Sequence, residues 1–374
     1  MSVNYRKLGD YIQLVDIRNS DLQVSHLQGL SIEKCFIESI ANTIGTDFRP
    51  YKIVKKGQFA YGPVTSRNGD KITIALLKEL DVCIISSSYS VFEIIDTSKL
   101  LPDYLMLWFS RPEFDRYARY KSHGSVREIF DWDEMCRVEL PIPDIKEQQK
   151  IVDAYNAITK RIQLKQKINE NLSNQLSCLY EVLCSEEKSK KWKEVLLDEI
   201  IENKRNNIKV ENIPNDSIYV GLEHIPRKII VLNNHGTSKE VLSNKLRASK
   251  GDILFGKIRP YFHKVSVNPY DEIYCSGDAL VFNAKQKELY GFILLTVFSE
   301  QFVNYAVKLS NGAKMPRAEW KDLKRYMVKL PDTKTLITLN NAVNNVLAYI
   351  YTNLHEITKL QELKQLVISR ISGM

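Results

Sequence analysis

The stretch "FGKIRPYFHK" at residues 255–264 interleaves cations with rings. Lys257, Arg259 and Lys264 supply positive charge, and Tyr261 and His263 supply flat faces with polar edges. Ammonium and guanidinium groups neutralise phosphates, and arginine can donate two hydrogen bonds to one guanine edge. This spacing therefore suits contact with a nucleic-acid backbone and its base edges. The plainer reading stays open beside it, with Arg259 in an internal ion pair and Tyr261 in the core. Arg259 precedes Pro260, whose ring disfavours helical backbone one residue earlier, so an extended conformation is expected at Arg259.

Three other stretches offer similar side chains. "YGPVTSRNGDK" (61–71) brings Ser66, Arg67, Asn68 and Lys71. "SHGSVREIFDW" (122–132) brings His123, Ser125 and Arg127, and "SNGAKMPRAEW" (310–320) brings Lys314 and Arg317. The last two share Ser-x-Gly and a later Trp at the same offsets. Glycine lets backbone approach a phosphate closely, but Gly124 and Gly312 read first as turn requirements. Trp132 and Trp320 read as core residues rather than stacking platforms.

Signatures of chemistry carried out by the chain itself are missing from the sequence. The nearest string to an adenine-methyltransferase [DN]PP[YF] motif, "VNPYD", lacks the second proline. There is no GxG loop for S-adenosylmethionine and no GxxxxGK[ST] for ATP. The six histidines show no metal-ligand spacing. Nuclease-like "DLK" and "DTK" strings arise readily among 45 acidic and 53 basic residues. The expectation is a binding protein without catalysis, holding no cofactor or metal of its own.

Which elements would position these loops? At 374 residues the chain exceeds one ordinary core and suits two domains. No run approaches the ~18 apolar residues of a membrane span, and the N-terminus lacks a signal-peptide core. The six cysteines contain no CxxC pair, so a reduced, cytoplasmic compartment and no membrane partner are expected. A net charge of +8 permits a polyanionic partner without demanding one.

The organisation comes from a repeat. At an offset of 188, Leu8, Asp10 and Ile12 return as Leu196, Asp198 and Ile200. Phe114, Tyr117, Ala118, Ser122, Gly124, Trp132 and Arg137 return as Phe302, Tyr305, Ala306, Ser310, Gly312, Trp320 and Arg325. Pro143-Asp144 returns as Pro331-Asp332, while "GQFAYG" and "GDILFG" align at 194. Chance does not preserve such order, so the chain is a tandem duplication. Each copy opens with a mixed α/β (α+β) domain carrying short strands and one helix, "PDYLMLWFSRPEFDRYARY" or "LYGFILLTVFSEQFVNYAV". A long helix follows, with a 4-3 seam at 151, 155, 158, 162, 165, 169, 172, 176, 179 and 183. The same seam recurs from 339 to 371.

The boundaries read 1–143 for the first domain, 144–184 for its helix, 185–191 for a linker, 192–331 for the second domain and 332–374 for its helix. The eight residues "CSEEKSKK" (184–191) reach at most ~28 Å, which forces the helices to pair antiparallel with pseudo-two-fold symmetry. Each is a rod of roughly 57 Å. Positions summing to 522 then face each other, which places Asn169 opposite Asn353 as a polar pair that fixes register.

The segment "VELPIPDIKEQQKIVDAYNAITKRIQ" resembles the place where a target-recognition domain runs into its coil in specificity subunits of type I restriction–modification systems. "GDILFGKIRPYF" and the Ser-x-Gly…Trp blocks resemble elements of those domains, and the likeness extends over the whole chain. One departure is clear: the second copy, "VKLPDTKTLITLNNAV", lacks Glu-Gln-Gln. The resemblance implies a non-catalytic reader of double-stranded DNA. Each domain would read half of a bipartite, asymmetric target and the coil would set the spacer. Two adenine-methyltransferase subunits and restriction/translocase subunits would dock on it, and S-adenosylmethionine, ATP and Mg would belong to those partners. A scaffold with two equivalent sites for a protein partner remains the alternative, as does a self-contained enzyme.

Overall fold

The computed structural model describes residues 5–39, 44–66, 69, 71–124, 127–185 and 189–371. Arg67, Asn68 and Ser125 lie outside them. The chain forms two compact units, one of residues 1–162 with 359–374, the other of residues 163–358. No helix among the described residues is long and apolar enough to cross a membrane.

In the first unit, strands Ile12–Val15, Ser90–Ile94, Phe59–Tyr61 and Ile74–Leu76 lie side by side in that order, each antiparallel to its neighbour. In the second, Ile201–Lys204, Ala279–Ala284, Ile253–Gly256 and Val265–Val267 repeat the same order and sense. A duplicated sequence has kept its strand pairing as well as its residues. Both faces of each sheet are buried, alternate residues entering separate cores, and on one face Phe59 stacks on Phe92 at 4.9 Å and Phe255 meets Phe282 at 6.2 Å. The units differ in what surrounds that sheet. The first adds the hairpin Gln28–Leu30/Phe36–Glu38 and the pair Lys52–Lys55/Val82–Ile85. The second adds a five-stranded sheet in which Ile218–Val220 and Glu272–Cys275 run parallel.

The single helix expected in each domain is two helices. In the first unit Pro102–Phe109 gives way to Pro112–Lys121. Pro112 lacks an N–H and clashes with the preceding turn, so it can only start a helix. In the second unit Tyr290–Phe298 stops at Ser299, whose extended backbone and hydroxyl cap Glu300–Leu309 by accepting from the Phe302 N–H at 3.2 Å. Trp132 and Trp320 each open a short helix and lean on the sheet at Phe92 (5.6 Å) and Phe282 (5.1 Å). Both sit at the edge of the core.

The long helices span Ile145–Leu183 and Thr333–Arg370. Asp144 and Asp332 cap them equivalently, accepting from the N–H of Glu147 (2.9 Å) and Thr335 (3.0 Å). Their pairing is antiparallel. Within the second unit Asn353 donates its amide N–H to Asn169 Oδ1 at 2.8 Å, and Lys165 Nζ reaches Glu356 at 2.8 Å. Within the first, the Lys364 ammonium lies 4.7 Å from the Tyr155 ring centre. The 4-3 seam holds through Leu176 and then shifts: Leu179 is exposed while Tyr180 is buried and bonded to Thr296 at 3.0 Å. There the helix stops facing its partner alone and packs on Tyr290–Phe298.

The Glu-Gln-Gln segment has a structural explanation. Gln148 is 0% exposed, and its Oε1 accepts from the Leu101 N–H at 2.8 Å. Its Nε2 donates to the carbonyls of Lys99 (2.8 Å) and Pro143 (2.9 Å). One amide thus ties the long helix to the first orphan N–H of helix Pro102–Phe109. In the second copy Leu289, equivalent to Leu101, satisfies its N–H on the Gln286 carbonyl at 3.1 Å within a 3₁₀ turn. The glutamine is redundant there. Buried Leu336 takes its place, and Asn340 accepts from the Gly291 N–H at 2.9 Å instead.

Candidate nucleic-acid interface

Each pair of candidate loops converges within its own unit. In the second, residues 257–264 turn between strands Ile253–Gly256 and Val265–Val267. The Arg259 N–H donates to the Pro316 carbonyl at 2.7 Å, the Ala318 N–H donates to the Lys257 carbonyl at 3.0 Å, and Ile258 bridges Arg317. In the first, the Thr65 N–H donates to the Glu128 carbonyl at 3.0 Å, the Phe130 N–H donates to the Pro63 carbonyl at 2.8 Å, and Val64 bridges Ile129. The two sets correspond residue for residue at the offsets 194 and 188 found in the sequence. Each Ser-x-Gly loop is further closed on itself by His123 to Ile129 and Asn311 to Arg317.

The glycines are required by backbone. Gly124 and Gly312 have φ of 138° and 111°, and a Cβ on Gly124 would lie 2.1 Å from the Arg127 carbonyl oxygen. Beside this shared frame the side chains differ. The first unit presents Ser66, His123 and Arg127 at the surface, whereas the second presents Tyr261, Lys314 and Arg317, with Arg259 half-buried and its guanidinium donating to the Lys314 carbonyl at 3.4 Å.

Several candidates are committed elsewhere. His263 is buried at 4% exposure, with Nε2 at 2.8 Å from the Phe298 carbonyl and Nδ1 at 3.4 Å from Glu300. Burial holds its imidazole below the ordinary 6.5, against the opposing pull of Glu300, so it braces the loop and does not reach outward. Lys264 bonds the Leu222 carbonyl, and Lys71 pairs with Glu33 at 2.8 Å. Arg317 pairs with Asp278 at 3.1 Å while staying exposed. Arg259 has φ 50° and ψ 60°, a left-handed conformation and not the extended one expected from the following proline. The hydrogen bond to Pro316 and the tight start of the Pro260–Phe262 turn override the local preference.

Sequence reasoning missed Arg227, whose guanidinium stacks 3.9 Å over the Phe262 ring. It lies 30 residues upstream of Lys257, and only the fold brings it to the loop. A cleft of about 260 Å³ in the same unit is lined by Lys204, Arg205, Lys257, Glu319 and Trp320, together with Asn203 and Asn207.

The two units thus share a four-stranded antiparallel sheet of one strand order, and each domain leads into one of two long helices that pair antiparallel. Residues 46–174 match the family described as "Type I restriction modification DNA specificity domain". The Type I restriction enzyme HindI specificity subunit of Haemophilus influenzae is 27% identical over 131 residues, 34% of this chain. The match spans 28% of that relative's length. The crystal structure of a type I restriction–modification S subunit from M. genitalium shares the fold at TM-score 0.53, with 13% identity over 99% of this chain and 96% of that one. The likeness read from "PIPDIKEQQ" and the repeat therefore holds.

Proposed function

We propose that the chain is the DNA sequence-specificity subunit of a type I restriction–modification complex. Each unit reads one half of a split, asymmetric target in double-stranded DNA, and the paired helices set the unread spacer. The chain docks two adenine-methyltransferase subunits and restriction subunits in the cytoplasm. Those partners hold S-adenosylmethionine, ATP and Mg and carry out the chemistry. The observation that supports this reading is the duplicated loop frame, in which equal hydrogen bonds hold unequal side chains. Equal scaffolds with unequal loops suit two different half-sites.

The test is a map of methyladenine on plasmid DNA from cells expressing the chain with its methyltransferase. Two short half-sites with a gap between them are expected, and exchanging residues 192–331 for another such domain should change one half alone. Methylation at one continuous site would overturn the proposal.

Within that frame Arg259 reads a base. Arg259→Ala should cost about 1–3 kcal/mol in binding and relax one target position. A uniform loss across all sequences would reassign it to a phosphate.

A further inference from the structure

Among the described residues, six non-glycine positions have positive φ, and three of them meet at one corner of the second unit. They are Lys228 (56°), Arg259 (50°) and His263 (50°). The Lys228 N–H donates to the His263 carbonyl at 3.0 Å, and the other two flank the turn Pro260–Phe262. Left-handed backbone at a residue with a side chain is strained, and glycine would remove the strain. The corresponding loop of the first unit uses Gly69 at φ 62°. The second unit keeps side chains where glycine would be easier, so those side chains have work to do.

For Lys228 and His263 that work is bracing. His263 is bonded to the Phe298 carbonyl (2.8 Å), and Lys228 is paired with Glu300 (2.7 Å), which also lies 3.4 Å from His263. Arg227 covers Phe262, Pro260 is buried, and the Arg259 N–H is held by Pro316. One side chain of the turn is left outside. Tyr261 is 51% exposed, and its ring meets Phe262 edge-on at 4.8 Å. Arg227 and Lys314 are exposed on neighbouring segments of the same unit.

We propose that Tyr261 is a wedge that stacks into a base step of the target and partly unstacks it. A rigid aromatic tip flanked by cations is the arrangement that makes such insertion favourable, because phosphates are held while a base pair yields. Residues 62–71, the corresponding loop of the first unit, contain no aromatic, so this wedge has no counterpart there and the distortion is placed in the half-site of the second unit. The target reads as a DNA deformable at one defined step. The inference rests on the DNA-reading function above.

The experiment uses the full chain with its methyltransferase on a target duplex carrying 2-aminopurine. The probe is placed in turn at each position of the second unit's half-site except the methylated adenine. A several-fold fluorescence rise is expected at one step on binding. Tyr261→Ala should abolish the rise and weaken binding about tenfold, within the range for one base–aromatic stack, while Tyr261→Phe keeps both. Tight binding with no rise at any position, or a rise that survives Tyr261→Ala, overturns the wedge and leaves DNA reading intact. No salt-sensitive binding by the unaltered chain overturns DNA reading itself.

Discussion

Gln148→Ala lowers the melting transition of the first unit and leaves that of the second in place. The substitution strands one N–H and two carbonyls in a half-buried setting, those of Leu101, Lys99 and Pro143. An unsatisfied buried polar group costs about 1–3 kcal/mol, and the N–H is the least able to find another partner. A total near 3 kcal/mol corresponds to a fall of about 6–12 °C for a unit of this size. Gln148→Leu, which copies Leu336 of the second unit, is expected to be as damaging, because volume is restored and the hydrogen bonds are not. Gln149→Ala is the control, since that side chain is exposed and bonded only along the helix to Asp153 at 2.8 Å. Scanning calorimetry of the three variants separates the cases. A Gln148→Leu variant as stable as the parent would show that the amide is dispensable.

The second large effect has opposite signs in two variants. Asn169 and Asn353 are 7% and 2% exposed, and the Asn353 Oδ1 also accepts from Lys165 at 2.9 Å. Asn353→Leu alone leaves the Asn169 amide facing hydrocarbon and removes one partner of Lys165, so stability should drop by about 1–3 kcal/mol. Asn169→Leu with Asn353→Leu replaces the pair by apolar contact, and Lys165 retains Glu356. The double variant should exceed the parent by about 1–2 kcal/mol, since a polar pair in an apolar seam fixes register at the expense of stability. Denaturant midpoints of the parent, the single and the double variants measure this directly. If the double variant is no more stable than the parent, the pair is not a register device and the idea falls.

Much of the second result was legible in the chain. Two helices from one duplicated sequence, each with a 4-3 seam, leave little freedom in how they pair, and the sum of 522 follows from connectivity. The seam misled only past Leu176, where Tyr180 turns to Thr296 on a neighbouring helix, a contact 116 residues away that no local period encodes. Gln148 was visible as part of a motif but its task was not. Its partners are backbone groups up to 49 residues distant, and backbone groups leave no mark in composition. The split of each domain helix was signalled by Pro112 in one copy and only by Ser299 in the other.

The candidate interface divides along the same line. The amino-acid sequence by itself determined the duplication, the α/β-then-helix order of each copy and the four loop stretches, because periodicity, offset and residue type are local properties of the chain. Tertiary structure alone decided which side chains those loops expose. It withdrew His263 and Lys264 into bonds with the carbonyls of Phe298 and Leu222, turned Arg259 left-handed, and brought Arg227 to the ring of Phe262. Whether a cation faces solvent or a carbonyl depends on groups far away in sequence, and a buried N–H or C=O must be satisfied before any side chain is free to meet a ligand.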